Sequence, residues 1–325
     1  MDKTTHYREF GVWLTERLGM KVQKISLNAG FTCPNRDGRV GTDGCTYCNN
    51  QTFNPAYCET TKSIRQQLEE GIDFFARSHS GRKLQLHGRE REMKFLAYFQ
   101  AYTNTYADLD ELRRKYEEAL GVDGVVGIVI GTRPDCVPAP LLDYLSELNR
   151  RFFVLVEYGI ESTDDQVLRR INRGHDFEVV RQAVEATHRR GILTGGHIIL
   201  GLPATHLIPG YLSSEAARLS ALPLDTLKIH QLQLIRGTRM AEEFVARPDD
   251  FHLYTADEYI NTVIDFVRML RPDLVLERFV SQSPSSLLAV PGWGLKNHEF
   301  VARLHRRMEE RNAFQGDKYQ KQTII

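Results

Sequence analysis

The sequence has no apolar run that approaches the roughly 20 residues needed to cross a bilayer, so no membrane-spanning helix is expected. Its first ten residues, MDKTTHYREF, are charged and polar and lack the apolar stretch of a secretory leader. Cysteine is scarce, with five in 325 residues. An odd number of thiols in a large chain without a leader argues against a disulfide framework, and the expected compartment is a reducing cytoplasm. Net charge is missing too: Lys plus Arg and Asp plus Glu are both 42. That balance argues against a globally basic nucleic-acid binder and leaves only a local patch open. No internal repeat and no low-complexity segment is present. The remainder, 42% hydrophobic and 26% charged, is ordinary globular composition, long enough for one large α/β domain with an appendage or for two domains.

The few cysteines are not scattered. Cys33, Cys45 and Cys48 form C-x11-C-x2-C, just after the strand-like run Lys21 to Leu27, in a loop rich in Gly, Asn and Asp. Three thiolates can hold three irons of a four-iron cluster and leave the fourth iron open for chemistry. On spacing alone a closed zinc site also fits, with Cys45-Thr-Tyr-Cys48 as one half and Cys58 as fourth ligand.

The rest of the chain alternates short β-branched runs with helical patterns. Strands are expected at 22–28, 94–101, 124–131, 152–158, 192–200 and 225–234, and helices near 63–78, 109–120, 139–149, 164–171, 177–190 and 212–220. Asp108 is read as an N-cap, Gly121 as a helix stop, Asp176 as a cap, and Thr163 with Gln166 as a capping box. Six βα units imply a parallel sheet with right-handed crossovers, either a partial TIM-like barrel or a doubly wound sheet. In both, function gathers at the carboxyl ends of the strands, where the cysteine loop lies. That loop runs about 30 residues against roughly 2–6 for an ordinary βα connection. Arg77 to Arg91 precedes the second strand, on the other face, and reads as a solvated basic loop. After 235 the rhythm weakens. Thr255 and Glu258 open a helix to about 270, followed by the short strand LVLERFV, the loop SQSPSSLLAVPGWGLKN and a final helix from about 298 to 312.

Tyr47 before the third cysteine gives C-x-aromatic-C, which resembles the cluster loop of a radical S-adenosylmethionine (SAM) enzyme with its first gap widened, as in the branch of the Elongator catalytic subunit. Beyond the successive strands stand Tyr98-Phe-Gln-Ala-Tyr-Thr-Asn104, Gly131-Thr-Arg-Pro-Asp-Cys136, Glu157-Tyr-Gly-Ile-Glu-Ser162, Ile171-Asn-Arg-Gly-His175 and His197-Ile-Ile-Leu-Gly-Leu-Pro203. In that order, over about residues 20–300, they resemble the YhcC/YtqA-like family of the radical SAM superfamily.

The resemblance implies a partial (β/α)6 TIM-like barrel with a C-terminal α/β extension. The divisions are an N-terminal segment 1–20, a radical SAM core 21–235 with its cluster loop at 30–58, and an extension 236–325 covering the barrel. It implies a [4Fe-4S] cluster on Cys33, Cys45 and Cys48, and SAM reductively cleaved to a 5′-deoxyadenosyl radical. The SAM ammonium is expected at the end of the second strand, Gln100 to Tyr102, with Asn104 nearby. Arg173 suits the SAM carboxylate, Glu161 the ribose, and Tyr47 the adenine. Arg133 is a further SAM candidate, or an ion-pair partner of Asp135. The Elongator branch carries Glu where this chain has Gly131, so the ribose contact falls to Glu161 alone. Ala204-Thr205 stands where relatives carry Gly-Glu. No catalytic acid or base is assigned; His175 reads as a helix-start residue, and Cys58 and Cys136 have no role. The implied partners are an electron donor such as flavodoxin or ferredoxin and, by kinship with the Elongator subunit, tRNA as substrate at a wobble uridine. A small metabolite is the alternative substrate, and a zinc-stapled RNA-binding or scaffold protein the alternative of another class.

Overall fold

The computed structural model describes residues 6–49, 55–78, 85–86, 89–90 and 93–320. The β-branched runs become strands β1 (Val22–Leu27), β2 (Lys94–Phe99), β3 (Val125–Thr132), β4 (Phe153–Glu161), β5 (Leu193–Leu200), β6 (Thr226–Gln231) and β7 (Val275–Arg278). They pair in chain order, every pair parallel. A doubly wound sheet reverses its strand order at a switch point; this one never does, and it curls into a half-barrel. The short run LVLERFV, expected in a separate extension, instead supplies β7, the seventh strand of the same sheet.

Helices α2 (Ile64–Ser78), α3 (Leu109–Leu120), α4 (Ala139–Leu148), α6 (Phe177–His188), α7 (Tyr211–Ala221) and α9 (Ala256–Met269) return the chain between or after the strands. Their apolar stripes pack on the outward strand residues, as Leu112 and Tyr116 of α3 and Val180 and Val184 of α6 do. The remaining helices are α1 (Phe10–Leu18), α5 (Asp165–Arg170), α8 (Arg239–Ala246) and α10 (Asn297–Glu310). None is long and apolar enough to cross a membrane among the described residues. The Asp176 cap and the Thr255–Glu258 capping box form as expected. Asp108 caps α3 by position, without a side-chain hydrogen bond. The expected capping box at Thr163 does not form. Asp164 caps α5 through Gln166 and Val167, because Thr163 is held by buried Glu215 of α7, which accepts from its amide at 2.7 Å and its hydroxyl at 3.0 Å. Most of the basic stretch Arg77 to Arg91 lies outside the described residues.

The barrel interior is layered. At the amino ends of the strands, Leu96, Val129, Phe153, Leu155, Leu193 and Val275 point inward and bury against Phe10, Trp13 and Leu14 of α1. The spacing of those three helix residues is one turn, so α1 closes the bottom of the half-barrel with a single apolar face. Residue 9, just before α1, pairs with Leu276 of β7, and Arg8 accepts the Leu276 amide at 2.8 Å. Above this plug lies a charged layer: Lys24 of β1, Glu157 of β4, Lys228 of β6 and Glu277 of β7. Two cations face two carboxylates, and Lys228 also donates to the Tyr98 hydroxyl at 3.0 Å. Gly195 opposite Glu157 leaves the space this layer needs: a Cβ there would lie 2.8 Å from Thr226 Oγ1 and 3.1 Å from Glu157 Cγ.

Candidate active site

Over the charged layer, at the carboxyl ends of the strands, is a cavity of about 190 Å³. Period-two alternation puts Gln100 (after β2), Gly131 (β3), Gly159 and Glu161 (β4), His197 (β5) and His230 (β6) on its wall. Cys33, Cys45, Cys48, Tyr47, Arg133 and Arg173 complete it from the loops. Eight of the nine residues expected to bind cluster or SAM therefore share one cavity. The ninth, Asn104, is fully buried behind the wall, donating to Phe99 O at 3.1 Å and Gly131 O at 2.8 Å. Its place in the fold is to tie the end of β2 to the end of β3.

The cysteine loop is fixed by the segment after α5. Asn35 Nδ2 donates to Asn172 O at 2.7 Å, Asn172 Nδ2 donates to Gly44 O at 2.8 Å, and the Thr46 amide donates to Ile171 O at 3.0 Å. Asn172 makes this reach from a left-handed backbone, φ 53°. The Ile171-Asn-Arg sequence therefore works as a clamp on the loop. Arg36 of the loop donates to Cys48 O at 2.8 Å, and Arg173 Nη1 and Asn35 Nδ2 stand 3.5 and 3.7 Å from Cys45 Sγ. Donors around thiolate sulfurs are the usual means of tuning a cluster. Burial and then Cys45 push the Cys48 thiol up to about 11, with Arg36 opposing, so a bound metal must supply the charge that makes it a ligand.

Cys58 is not part of this group. It lies in the hydrophobic core with its thiol donating to Ser26 O at 2.9 Å, so it does not complete a four-cysteine zinc site. No three His, Cys, Asp or Glu converge on one ion position among the described residues. Thiolates of a four-iron cluster sit on different irons and need no common centre.

Arg173 is buried, donates to Gly159 O at 2.5 Å, and lies 3.8 Å from Glu161. Its Nε has no partner. Arg133 grips Asp135 with Nε at 2.9 Å and Nη2 at 2.7 Å, while its buried Nη1 has none. Both readings of Arg133 are thus compatible: it shapes the loop and keeps one donor free. A buried guanidinium N–H without a partner is costly and calls for an anionic or carbonyl acceptor. Glu161 sits at φ 67° and Tyr102 at φ 63°, both left-handed, and the β4–β5 register shifts between Gly159 and Glu161. Such strain concentrates at functional sites. Burial pushes the Glu161 carboxyl up, but His197, 3.1 Å away, and Arg173 outweigh it and hold it at about 2. His175 is pushed down to about 3, by burial first and Arg173 second, so it is neutral as a helix-start residue. The sequence does not mark His197, His230, Lys228 and Arg278 as cavity residues; alternation along β5 and β6 points to the first three, whereas Arg278 reaches the cavity only through the bulge in β7.

These features fit the cofactors of radical SAM enzymes: three thiols on one cavity, free buried cationic donors, and a carboxylate held ionised. The family model described as the Radical SAM superfamily matches residues 33–206, and that for the Radical_SAM C-terminal domain matches 224–310. YtqA of Bacillus subtilis (strain 168) is 33% identical over 97% of this chain and 93% of its own length. YhcC of Escherichia coli (strain K12) is 34% identical over 93% and 92%. The tRNA uridine(34) acetyltransferase of Methanocaldococcus infernus is 22% identical over 57% of this chain and 34% of its own. The solved Elp3 of that archaeon covers 90% of this chain and 64% of its own, with TM-score 0.64 at 15% identity, a likeness of fold. The chain belongs to the YhcC/YtqA-like family of the radical SAM superfamily. It is an enzyme whose cofactors are a [4Fe-4S] cluster and SAM, and radical SAM enzymes generally need a reductant.

Proposed function

We propose that Cys33, Cys45 and Cys48 hold the cluster and that the cavity beneath them binds SAM for hydrogen-atom abstraction from a uridine of tRNA. When bound, the cluster and SAM supply reductive cleavage of the sulfonium C–S bond and so a 5′-deoxyadenosyl radical. The protein's part is binding, orientation and exclusion of water. Arg173, with the free Nη1 of Arg133, takes the SAM carboxylate; the peptide carbonyls from Gln100 to Tyr102 take the ammonium; Glu161 accepts from the ribose hydroxyls and Tyr47 covers the adenine. The observation that carries this reading is the pair of buried guanidinium donors left unpartnered beside the three cysteines. Electron delivery falls to a small flavodoxin or ferredoxin.

The tRNA assignment draws on the likeness to a protein named for uridine(34) of tRNA. It also draws on exposed Lys296, Arg303 and Arg306 in the C-terminal region. The test has two parts. Dithionite-reduced enzyme should convert SAM to 5′-deoxyadenosine, and Arg173→Ala should weaken SAM binding by about 1.5–3 kcal/mol, the worth of a hydrogen bond to a charged group. Nucleoside mass spectrometry of tRNA from anaerobic cells with and without the protein should differ at a uridine. Unchanged SAM affinity in folded, cluster-loaded Arg173→Ala would remove Arg173 from the site; identical nucleoside profiles would hand the substrate to a small metabolite.

A further inference from the structure

The stretch of cavity wall built by β5, β6 and β7 is not needed for SAM in the reading above, yet it carries the one arginine of the cavity lining, among the described residues, that has neither a hydrogen bond nor an ion pair. Arg278 ends β7, where the register against β6 shifts: Leu227 pairs with Leu276, but Lys228 pairs with Arg278. A bulge of this kind lets two successive residues point the same way. Glu277 goes down to Lys24 and Lys228, at 2.9 and 3.3 Å, and Arg278 goes up to line the cavity. The other guanidiniums of the lining are engaged: Arg36 with Cys48 O, Arg133 with Asp135, Arg173 with Gly159 O and Glu161. Lys228 gives its donors to Glu157 and Tyr98. Arg278 Nε is buried and has no partner.

His230 lines the same wall and is 8% exposed. Its Nδ1 stands 2.9 Å from Gln231 O, an acceptor only, so the proton is on Nδ1 and the free ring atom is the Nε2 lone pair. Burial first, then His197 and Arg278, push its pKa well down, so it stays neutral. His197, 4.4 Å away ring to ring, faces Glu161 with its Nδ1. The wall thus sets a free guanidinium beside a neutral acceptor.

We propose that Arg278, with His230, forms a substrate subsite that binds an oxyanion, phosphate or carboxylate, while the Nε2 of His230 accepts from an adjacent hydroxyl or N–H of the same molecule. This rests on the radical SAM reading of the cavity, because it assumes that the SAM carboxylate is held elsewhere, at Arg173. The subsite fixes the substrate by its charged end and leaves its C–H bonds free toward the rest of the cavity.

The test is calorimetric titration of cluster-loaded protein, saturated with SAM, with inorganic phosphate, acetate, uridine 5′-monophosphate and uncharged uridine. At least one anion should bind saturably and more tightly than uridine; phosphate against acetate tells the two oxyanions apart. Arg278→Gln should weaken that anion at least tenfold, Arg278→Lys should restore part of the loss, and Arg114→Gln, on the exposed face of α3, should change it less than twofold. Equal affinity in Arg278→Gln, an equal loss in Arg114→Gln, displacement of SAM by the anion, or no saturable anion at all would each overturn the subsite. Wild-type protein that binds no SAM would instead defeat the underlying reading, and the subsite with it. Cluster content and far-UV circular dichroism are checked in each variant, and the lysine variant keeps the test open if the glutamine one does not fold.

Discussion

The charged layer under the cavity makes a quantitative prediction. Glu157 lies 2.9 Å from Lys24 and 2.8 Å from Lys228, with side-chain exposures of only 7, 15 and 7% for the three, so solvent screens little. Breaking a buried pair by removing one partner costs about 3–5 kcal/mol, because the remaining charge is left uncompensated. Glu157→Gln leaves two ammoniums for one carboxylate, but Glu277 still reaches both, so the lower end, about 3 kcal/mol, is expected. Lys228→Met leaves two carboxylates to Lys24 and strips the Tyr98 hydroxyl of a donor, for a similar cost. The double variant keeps a neutral Lys24–Glu277 pair. It should lose about 3–4 kcal/mol and not the sum of about 6, a coupling of about 2–3 kcal/mol. Urea unfolding of cluster-loaded protein, followed by far-UV circular dichroism and by cluster absorbance, measures all four states. The pH dependence is also fixed in sign. Burial raises the Glu157 carboxyl, but Lys228 and Lys24 outweigh it and hold it well below the usual carboxylate range. A depressed folded pKa gives stability that is complete above the unfolded value of about 4.3 and is lost as pH falls through the folded one. The gap between wild type and Glu157→Gln should therefore be constant from pH 8 to pH 5. Additive single costs, or a gap already closing at pH 5, would refute the reasoning.

Two further outcomes are expected. A Cβ at Gly159 would lie 2.7 Å from both Arg173 Nη2 and Glu161 Oε1, so Gly159→Ala should displace both side chains and weaken SAM binding about tenfold or more in a chain that still folds; equilibrium dialysis with labelled SAM reads this, and unchanged affinity would separate those residues from SAM. Cys58 and Cys136 are buried and their thiols are pushed by burial up to about 12, so iodoacetamide at pH 8 should leave both unmodified in native protein and alkylate both in urea, read by peptide mass spectrometry.

The parts of the fold that local chemistry decides were legible in the sequence. Helices α3 and α9 announce themselves by turn-spaced apolar residues and by Gly121 or the Thr255–Glu258 box, and the β-branched runs place six strands, with ends that differ by up to three residues. Pairing partners are another matter. Nothing local in LVLERFV says that it joins β6 to make a seventh strand, and nothing in the charged start of the chain says that Phe10, Trp13 and Leu14 plug a barrel, although their spacing marks a helical face. Thr163 lost its cap to Glu215, a residue 52 positions away that only the packed structure brings close. At the site, the spacing of the three cysteines and the family resemblance of the motifs after the strands pointed to Tyr47, Gln100, Arg133, Glu161 and Arg173, and these line one cavity with the cysteines. Lys24, Glu157, Lys228, Glu277 and Arg278 escaped because a charged residue on a strand normally marks a solvent face. A half-barrel inverts that rule above its apolar plug, where the inward residues of the strands build a charged layer. Arg278 in particular lies next to Glu277 in the short run LVLERFV, and only the bulge in β7 turns it inward.

The central claim is that Cys33, Cys45 and Cys48, and no other thiol, hold a cluster on this cavity. Iron, sulfide and zinc analysis of anaerobically prepared wild type and of the Cys33→Ala, Cys45→Ala, Cys48→Ala and Cys58→Ala variants tests it most directly. About four irons and four sulfides per chain are expected in wild type and in Cys58→Ala, with loss of both in each of the other three. Stoichiometric zinc in wild type that disappears in Cys58→Ala would contradict the account.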